Sequence, residues 1–248
     1  VLQCLFRMSA HIQKVAQAAY KLFSRLGSGV KISPPYEGLY EVAGLFSQLR
    51  EPDVFEPNSK LLYRDRNLLP DIDEREAPVT YVPVWDDKVL TICMFILKKG
   101  SRLPMHDHPN MYGLLKVLHG SLTITSYSPY LDPSPPLPPT LAAWFKYANQ
   151  IKPVKPVGKK TISASDDCVV LTPESGNYHE ITAESGQAAF IDILAPPYDS
   201  RDRQCTYYSV IPNQDSVSDI TYLIKVHCPP DYWCNEEQYT GPDLHLHF

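Results

Sequence analysis

Two histidines separated by one residue, His106 and His108, end the stretch Gly100-Ser-Arg-Leu-Pro-Met-His-Asp-His, and Gly113 and Gly120 follow it. A third, His179, closes the distant stretch Pro173-Glu-Ser-Gly-Asn-Tyr-His. Residues i and i+2 of a strand point to the same face, so His106 and His108 can project together into a barrel interior and share one metal ion. His179 lies in a β-prone stretch after a proline and glycine turn, placed to arrive from a neighbouring strand. An isolated His-x-His is more often surface or structural than metal-binding; the glycine spacing and the Pro-Gly-His segment turn the reading toward a metal site. Three neutral imidazoles leave a divalent ion with its full double charge and several open positions. A thiolate is an attractive incoming ligand, because metal binding deprotonates a thiol outright. O2 admitted beside that sulfur makes the reaction effectively intramolecular.

Placing these side chains requires strands, and the chain beyond Ala77 is rich in them. β-prone runs cover Val79 to Trp85, Val89 to Leu97, Leu114 to Tyr127, Val169 to Leu171, Ala188 to Leu194, Tyr207 to Ile211 and Thr221 to Val226, with turn residues between. Short strands without helical patterns among them predict a jelly-roll sandwich or barrel rather than alternating βαβ units. Ahead of them, Ile12, Val15, Ala16, Ala19, Leu22 and Phe23 predict an amphipathic helix over Ser9 to Leu26, stopped by Gly27. After the Pro34-Pro35 break, Leu39, Val42, Ala43, Leu45, Phe46 and Leu49 predict a second helix running to Arg50. Both are expected to cap a sheet. The proline-rich Ser128 to Pro139 is expected to be an extended loop, and the basic run Lys152 to Lys160 a solvated one. The expected class is mainly β: one domain over 1–248, with 1–50 a helical cap on the outside and 77–242 the barrel holding the metal site.

The histidine stretches resemble the cupin superfamily, whose first motif is a Gly, five residues and His-x-His, then usually a Glu and a further Gly, and whose second contains Pro, Gly and His. The match covers about Gly100 to Glu180. Where cupins with four protein ligands carry the Glu, this chain has Gly113. Other segments are similar to the cysteamine (2-aminoethanethiol) dioxygenases and plant cysteine oxidases, a thiol dioxygenase family with a cupin fold. They are Leu103-Pro-Met-His-Asp-His-Pro109, Gly113-Leu-Leu-Lys-Val117, Phe190-Ile-Asp-Ile-Leu-Ala-Pro-Pro-Tyr198 and Cys205-Thr-Tyr-Tyr208, with Tyr232-Trp-Cys234 and Tyr239-Thr-Gly-Pro242 near the end.

This resemblance implies an Fe(2+) centre held by His106, His108 and His179, with O2 as co-substrate. The thiol donor would be cysteamine or the N-terminal cysteine of a peptide or protein, and the product a sulfinic acid. Asp192 and Tyr198 would line the substrate site. Asp192 would meet the substrate ammonium or a ligand histidine; read from the residues alone, it could equally turn outward or bond backbone. Tyr198 could instead anchor a loop on the rim. Cys205 and Tyr207 match a pair for which a thioether cross-link is discussed in thiol dioxygenases, the plainer reading being a buried cysteine beside a packed tyrosine. One departure is Gln204, where relatives often place an Asp before the Cys.

Bulk properties set the remaining bounds. Hydrophobic residues at 44% and charged residues at 21% fit a folded globular chain, and a net charge of -5 argues against a nucleic-acid surface. Six scattered cysteines without CxxC pairs fit a reducing compartment. The lack of a membrane-length apolar run or a signal-peptide layout makes cytoplasmic the expectation, although the chain begins at Val1 and a targeting segment could precede it. No heptad is evident, so a monomer is expected. His119 is expected to face solvent at a hairpin turn, His11 and His227 to be structural, and His245 and His247 to lie in a disordered end. Cys93 and Cys168 read as core residues. Two other functions stay open: a cupin oxygenase or isomerase indifferent to thiols, and a catalytically silent cupin that binds a ligand or a partner, perhaps through the proline-rich loop.

Overall fold

The computed structural model describes residues 2–25, 36–56, 59, 61–62, 77–131, 135, 137–212 and 219–246, with the side chains of residues 2–10 left aside. Gly27, the Pro34-Pro35 break, the Cys4 side chain, His247 and part of the proline-rich stretch lie outside the described residues.

Helix α1 runs Leu2–Ser24, starting earlier than its apolar spacing suggested because neither glycine nor proline interrupts residues 2–9. The predicted stripe is the buried one: Ile12, Val15, Ala16, Ala19 and Phe23 all face the core. Helix α2, Glu37–Ser47, buries Leu39, Val42, Ala43 and Phe46. It stops short of Arg50 because Pro52 tolerates only a first helical turn, and a new helix, α3, begins there over Glu51–Val54. The Arg50 N–H donates to the Asp53 carboxylate at 2.8 Å, closing the start of α3.

Twelve strands follow among the described residues. In chain order they are β1 Val79–Asp86, β2 Thr91–Leu97, β3 Arg102–Asp107, β4 Tyr112–His119, β5 Ser121–Pro129, β6 Ile151–Ser163, β7 Val169–Leu171, β8 Tyr178–Thr182, β9 Ala188–Ala195, β10 Tyr207–Ile211, β11 Thr221–Val226 and β12 Cys234–Glu236. One sheet has the order β12-β1-β2-β9-β4-β7, and β10-β11-β6-β5-β8-β3 close on themselves as a barrel. The mainly β class with helices outside is thus the one expected.

Alternation along the strands sorts the side chains into layers. Ala189, Ile191, Ile193 and Ala195 of β9 pack with Val82, Ile92, Met94 and Leu114 against the helices. The opposite face contributes Ala188 and Phe190, which meet Leu103, Leu122, Ile124 and Ile181 from the closed barrel. A third cluster, Met105, Tyr127, Val154, Tyr178, Tyr208 and Leu223, takes one side chain from each barrel strand and fills its middle.

Three expectations are corrected. The basic run 152–160 is a strand, not a loop: β6 pairs with β5 from Ser121↔Ser163 to Pro129↔Val154 and with β11 from Thr221↔Val154 to Ile224↔Ile151. Its lysines are exposed, so the solvation was read correctly, and Pro156 is accommodated where the register shifts beside Ser126 and Tyr127. His119 is not simply solvated; its Nδ1 lies 3.0 Å from Glu51 Oε2 and its side chain is 31% exposed. The chain end is ordered at His245, whose backbone N–H and C=O bond the Gln13 amide at 3.0 and 2.8 Å, while Leu246 is fully buried. A kinked run of 3-10 turns over Pro139–Gln150 had no counterpart among the sequence expectations. No helix among the described residues is long and apolar enough to cross a membrane.

Gly120 joins β4 to β5 at φ +68°, and a Cβ there would lie 2.3 Å from the Gln187 carbonyl oxygen. Gly120→Ala should therefore destabilise the fold by about 3 kcal/mol, read as a lower midpoint of urea unfolding; an unchanged midpoint would contradict this turn geometry.

Candidate metal centre and substrate pocket

His106 and His179 are directly opposite each other across the β3–β8 pair, and His108 follows two residues beyond His106 on the same side. Met105 and Asp107 point the other way, toward Tyr208. All three histidines are buried, and their ligand nitrogens lie within 4.8 Å of one another. The ring centroids are 4.7 to 4.9 Å apart. His108 Nε2 and His179 Nε2 are 3.1 Å apart, close to the separation of about 3 Å expected when two nitrogens share an ion at about 2.1 Å and a right angle.

Hydrogen bonds at the other ring nitrogens fix which atom each ring presents. His106 Nδ1–H donates to the Pro104 carbonyl at 2.8 Å, leaving Nε2 for a ligand. Tyr198 Oη donates its one proton to the Asp107 carbonyl at 2.7 Å, so His108 Nδ1–H is the donor in the 2.7 Å contact with Tyr198 Oη. The Asn177 side chain accepts from His108 N at 3.3 Å and donates to His108 O at 2.7 Å, clamping that backbone. Burial holds His106 below the ordinary histidine range and His108 and His179 well below it, with the neighbouring imidazoles adding to the effect at the latter two. Neutral rings keep free lone pairs, so the donor set fits a divalent transition metal.

The missing glutamate has a steric counterpart. A Cβ on Gly113 would sit 2.8 Å from Leu171 Cγ, so no side chain can extend from this position unless Leu171 moves.

In front of His106 and His108 lies a cavity of about 160 Å³, walled by Phe95, Leu103, Leu194, Tyr198 and Tyr207 among others, with Asp192, Cys205 and Tyr232 completing it. Asp192 is buried, on β9 opposite Cys93, and burial pushes its carboxyl well above the usual range. No hydrogen bond to that carboxyl exists among the described residues, so neither the outward nor the backbone-bonded alternative holds. The contact to a ligand histidine that Asp192 was expected to offer is made by Tyr198 instead. Cys205 is an exposed residue whose thiol turns into the wall beside the Tyr198 and Tyr207 phenols, and burial pushes the thiol up to about 11. Cys205 and Tyr207 are thus neighbours, as a thioether between them would require. Gln204, at the departure from the related sequences, donates to the Ser200 carbonyl at 2.6 Å, and Asp199 orders that loop by accepting from the backbone of residues 201, 202 and 203. A larger polar cleft of about 630 Å³ opens behind the same wall, at Asp107, Thr206 and Tyr208, but contains no histidine.

Sequence reasoning assigned no role to Pro104, Asn177 or Tyr232. Pro104 and Asn177 each lie two residues before a ligand histidine, and that spacing was the available signal. Tyr198→Phe should leave His108 Nδ1–H unpaired and weaken metal retention by about tenfold to a hundredfold in a chelator titration; unchanged retention would show that the phenol does not orient the ring.

Several known proteins resemble this chain. The family model PCO_ADO matches residues 45–244. The 2-aminoethanethiol dioxygenase of Mus musculus is 32% identical over 263 residues, covering 96% of this chain and 97% of that protein. Its counterpart from Homo sapiens is 32% identical with the same coverage, and plant cysteine oxidase 2 of Arabidopsis thaliana is 26% identical over 94% of this chain and 78% of its own length. Among solved structures, a cupin superfamily protein of Desulfitobacterium hafniense aligns at 16% identity and TM-score 0.32, over 50% of this chain and 83% of that one. This chain belongs to the PCO_ADO family.

Proposed function

We propose that this protein is a thiol dioxygenase that holds iron(II) on His106, His108 and His179 and uses O2 to convert cysteamine, or the N-terminal cysteine of a peptide, to the sulfinic acid. The observation that carries the reading is the convergence of three buried, neutral imidazoles on one point, facing a small, largely apolar pocket with a single carboxylate. Both atoms of O2 end on sulfur, and the thiol proton is retained as that of the acid. When bound, iron(II) would acidify the thiol and relay to O2 the four electrons that the sulfur loses.

The chain's own residues do the positioning. Burial favours the uncharged form of the Asp192 carboxyl; a substrate ammonium entering the pocket gives it a charged partner, and the carboxylate then anchors the amine while the thiol faces the histidines. Tyr198 keeps the His108 ring in its tautomer and direction. Tyr207, Phe95, Leu103 and Leu194 exclude water around the reacting sulfur. The reading takes the chain as one cupin domain, acting as a monomer in the cytoplasm. Five described cysteines, all free, support a reducing compartment. Oxidation of N-terminal cysteines would let such an enzyme report oxygen supply; an apparent affinity for O2 far below tissue levels would count against that role.

Iron-loaded protein prepared without air should, once O2 is admitted, add two oxygen atoms to cysteamine or to an N-terminal-cysteine peptide. No mass gain on either would overturn the substrate assignment. Stripping the metal, or His179→Ala, should abolish metal content and turnover together. Asp192→Asn should raise KM for an ammonium-bearing thiol by about a hundredfold, and an unaltered KM would remove Asp192 from amine recognition.

A further inference from the structure

The pocket is enclosed by groups of unequal firmness. Tyr198 is held firmly, bonding both the His108 ring and the backbone of β3. Tyr207 lies on β10, opposite His106. Tyr232 comes instead from a strap formed by residues 229–236, which crosses the pocket after the last barrel strand. The Tyr232 N–H closes a turn on the Pro229 carbonyl at 3.1 Å. Its ring meets Tyr207 edge-on, centroids 6.0 Å apart, and its Oη accepts from the Cys234 thiol at 3.3 Å. Beyond it, β12 is three exposed residues, paired in parallel with β1 from Val79↔Cys234 to Tyr81↔Glu236.

One arginine ties this strap to the metal-bearing strands. Arg102 Nη1 is 2.7 Å from Glu180, the residue after His179, and its Nη2 is 3.1 Å from Asp231, the residue before Tyr232. The Arg102 and Asp231 side chains are 39% and 63% exposed, so this ion pair holds the strap weakly and reversibly. A short ladder, one solvated ion pair and the packing of the half-buried Tyr232 ring on the barrel core are what hold the strap, an element of low local stability.

A cavity of about 160 Å³ is small beside the 300 Å³ or more usual for ligand sites, and suits a small aminothiol. A peptide bearing an N-terminal cysteine must also pass its following residues outward, and Tyr232 is the wall least firmly held. Resting on the thiol dioxygenase reading, we infer that Tyr232 is a specificity-determining residue, and that the strap latched by Arg102 and Asp231 sets the preference between small aminothiols and N-terminal-cysteine peptides. With the latch closed, the pocket favours the small substrate; displacement of Tyr232 admits the peptide.

The test is kcat/KM of the iron-loaded full chain for cysteamine and for a short peptide of cysteine followed by glycines. Tyr232→Ala should raise the peptide-to-cysteamine ratio about tenfold. Arg102→Gln and Asp231→Asn, which leave the pocket wall in place, should raise it about threefold and carry the test if Tyr232→Ala does not fold. Trp233→Ala, on the same strap but 44% exposed and off the wall, should leave the ratio unchanged. Equal factors on both substrates in the Tyr232 and latch variants would overturn the inference alone. A wild-type protein that oxidises neither thiol would overturn the dioxygenase reading, and this inference with it.

Discussion

A strand can aim His106 and His108 at one point only if the residue between them is accommodated on its other face, and here that residue is an aspartate. Asp107 is buried, and its carboxylate would be costly there without partners. Thr206 N–H and Tyr208 Oη supply them, each at 2.9 Å. Those donors belong to β10 and its approach, so satisfying Asp107 also fixes where Cys205 and Tyr207 emerge on the metal side. The bond that closes the barrel and the bonds that shape the substrate wall are therefore the same few interactions. Asn177 and Tyr198 complete the arrangement by clamping the His108 backbone and ring.

Burial then acts in opposite directions on the two kinds of titratable group. It favours the uncharged form of the three imidazoles, whose lone pairs can donate to a cation, and it favours the uncharged form of the Asp192 carboxyl. His106, His108 and Asp192 share a largely apolar wall. This distinguishes the small cavity from the larger cleft behind β3, whose lining is polar and includes Lys152 and Lys225.

Much of this arrangement could be read from residue order. The i, i+2 rule placed His106 and His108 on one face, while Asp192 entered only through the family resemblance, since residue order alone left it free to turn outward. What local pattern could not supply was pairing. The Lys152 to Lys160 run has prolines and charges that read as loop, yet β5 on one side and β11 on the other make it a strand. His119 looked like a turn residue until α3 brought Glu51 against it. Tyr198 was legible as a site residue, but its bond to His108, rather than one from Asp192, depends on a contact across about ninety residues of chain. Tyr232 was visible only as part of a resembling segment, since its place on the pocket follows from a C-terminal strap returning to β1.

The central claim is that three uncharged imidazoles leave the iron free to take a sulfur ligand. Iron-edge X-ray absorption of the iron(II)-loaded protein, under nitrogen and before and after cysteamine is added, tests it most directly. The account predicts a nitrogen and oxygen shell that gains a sulfur scatterer at about 2.3 Å when the thiol arrives. A shell that stays free of sulfur at saturating thiol would contradict it.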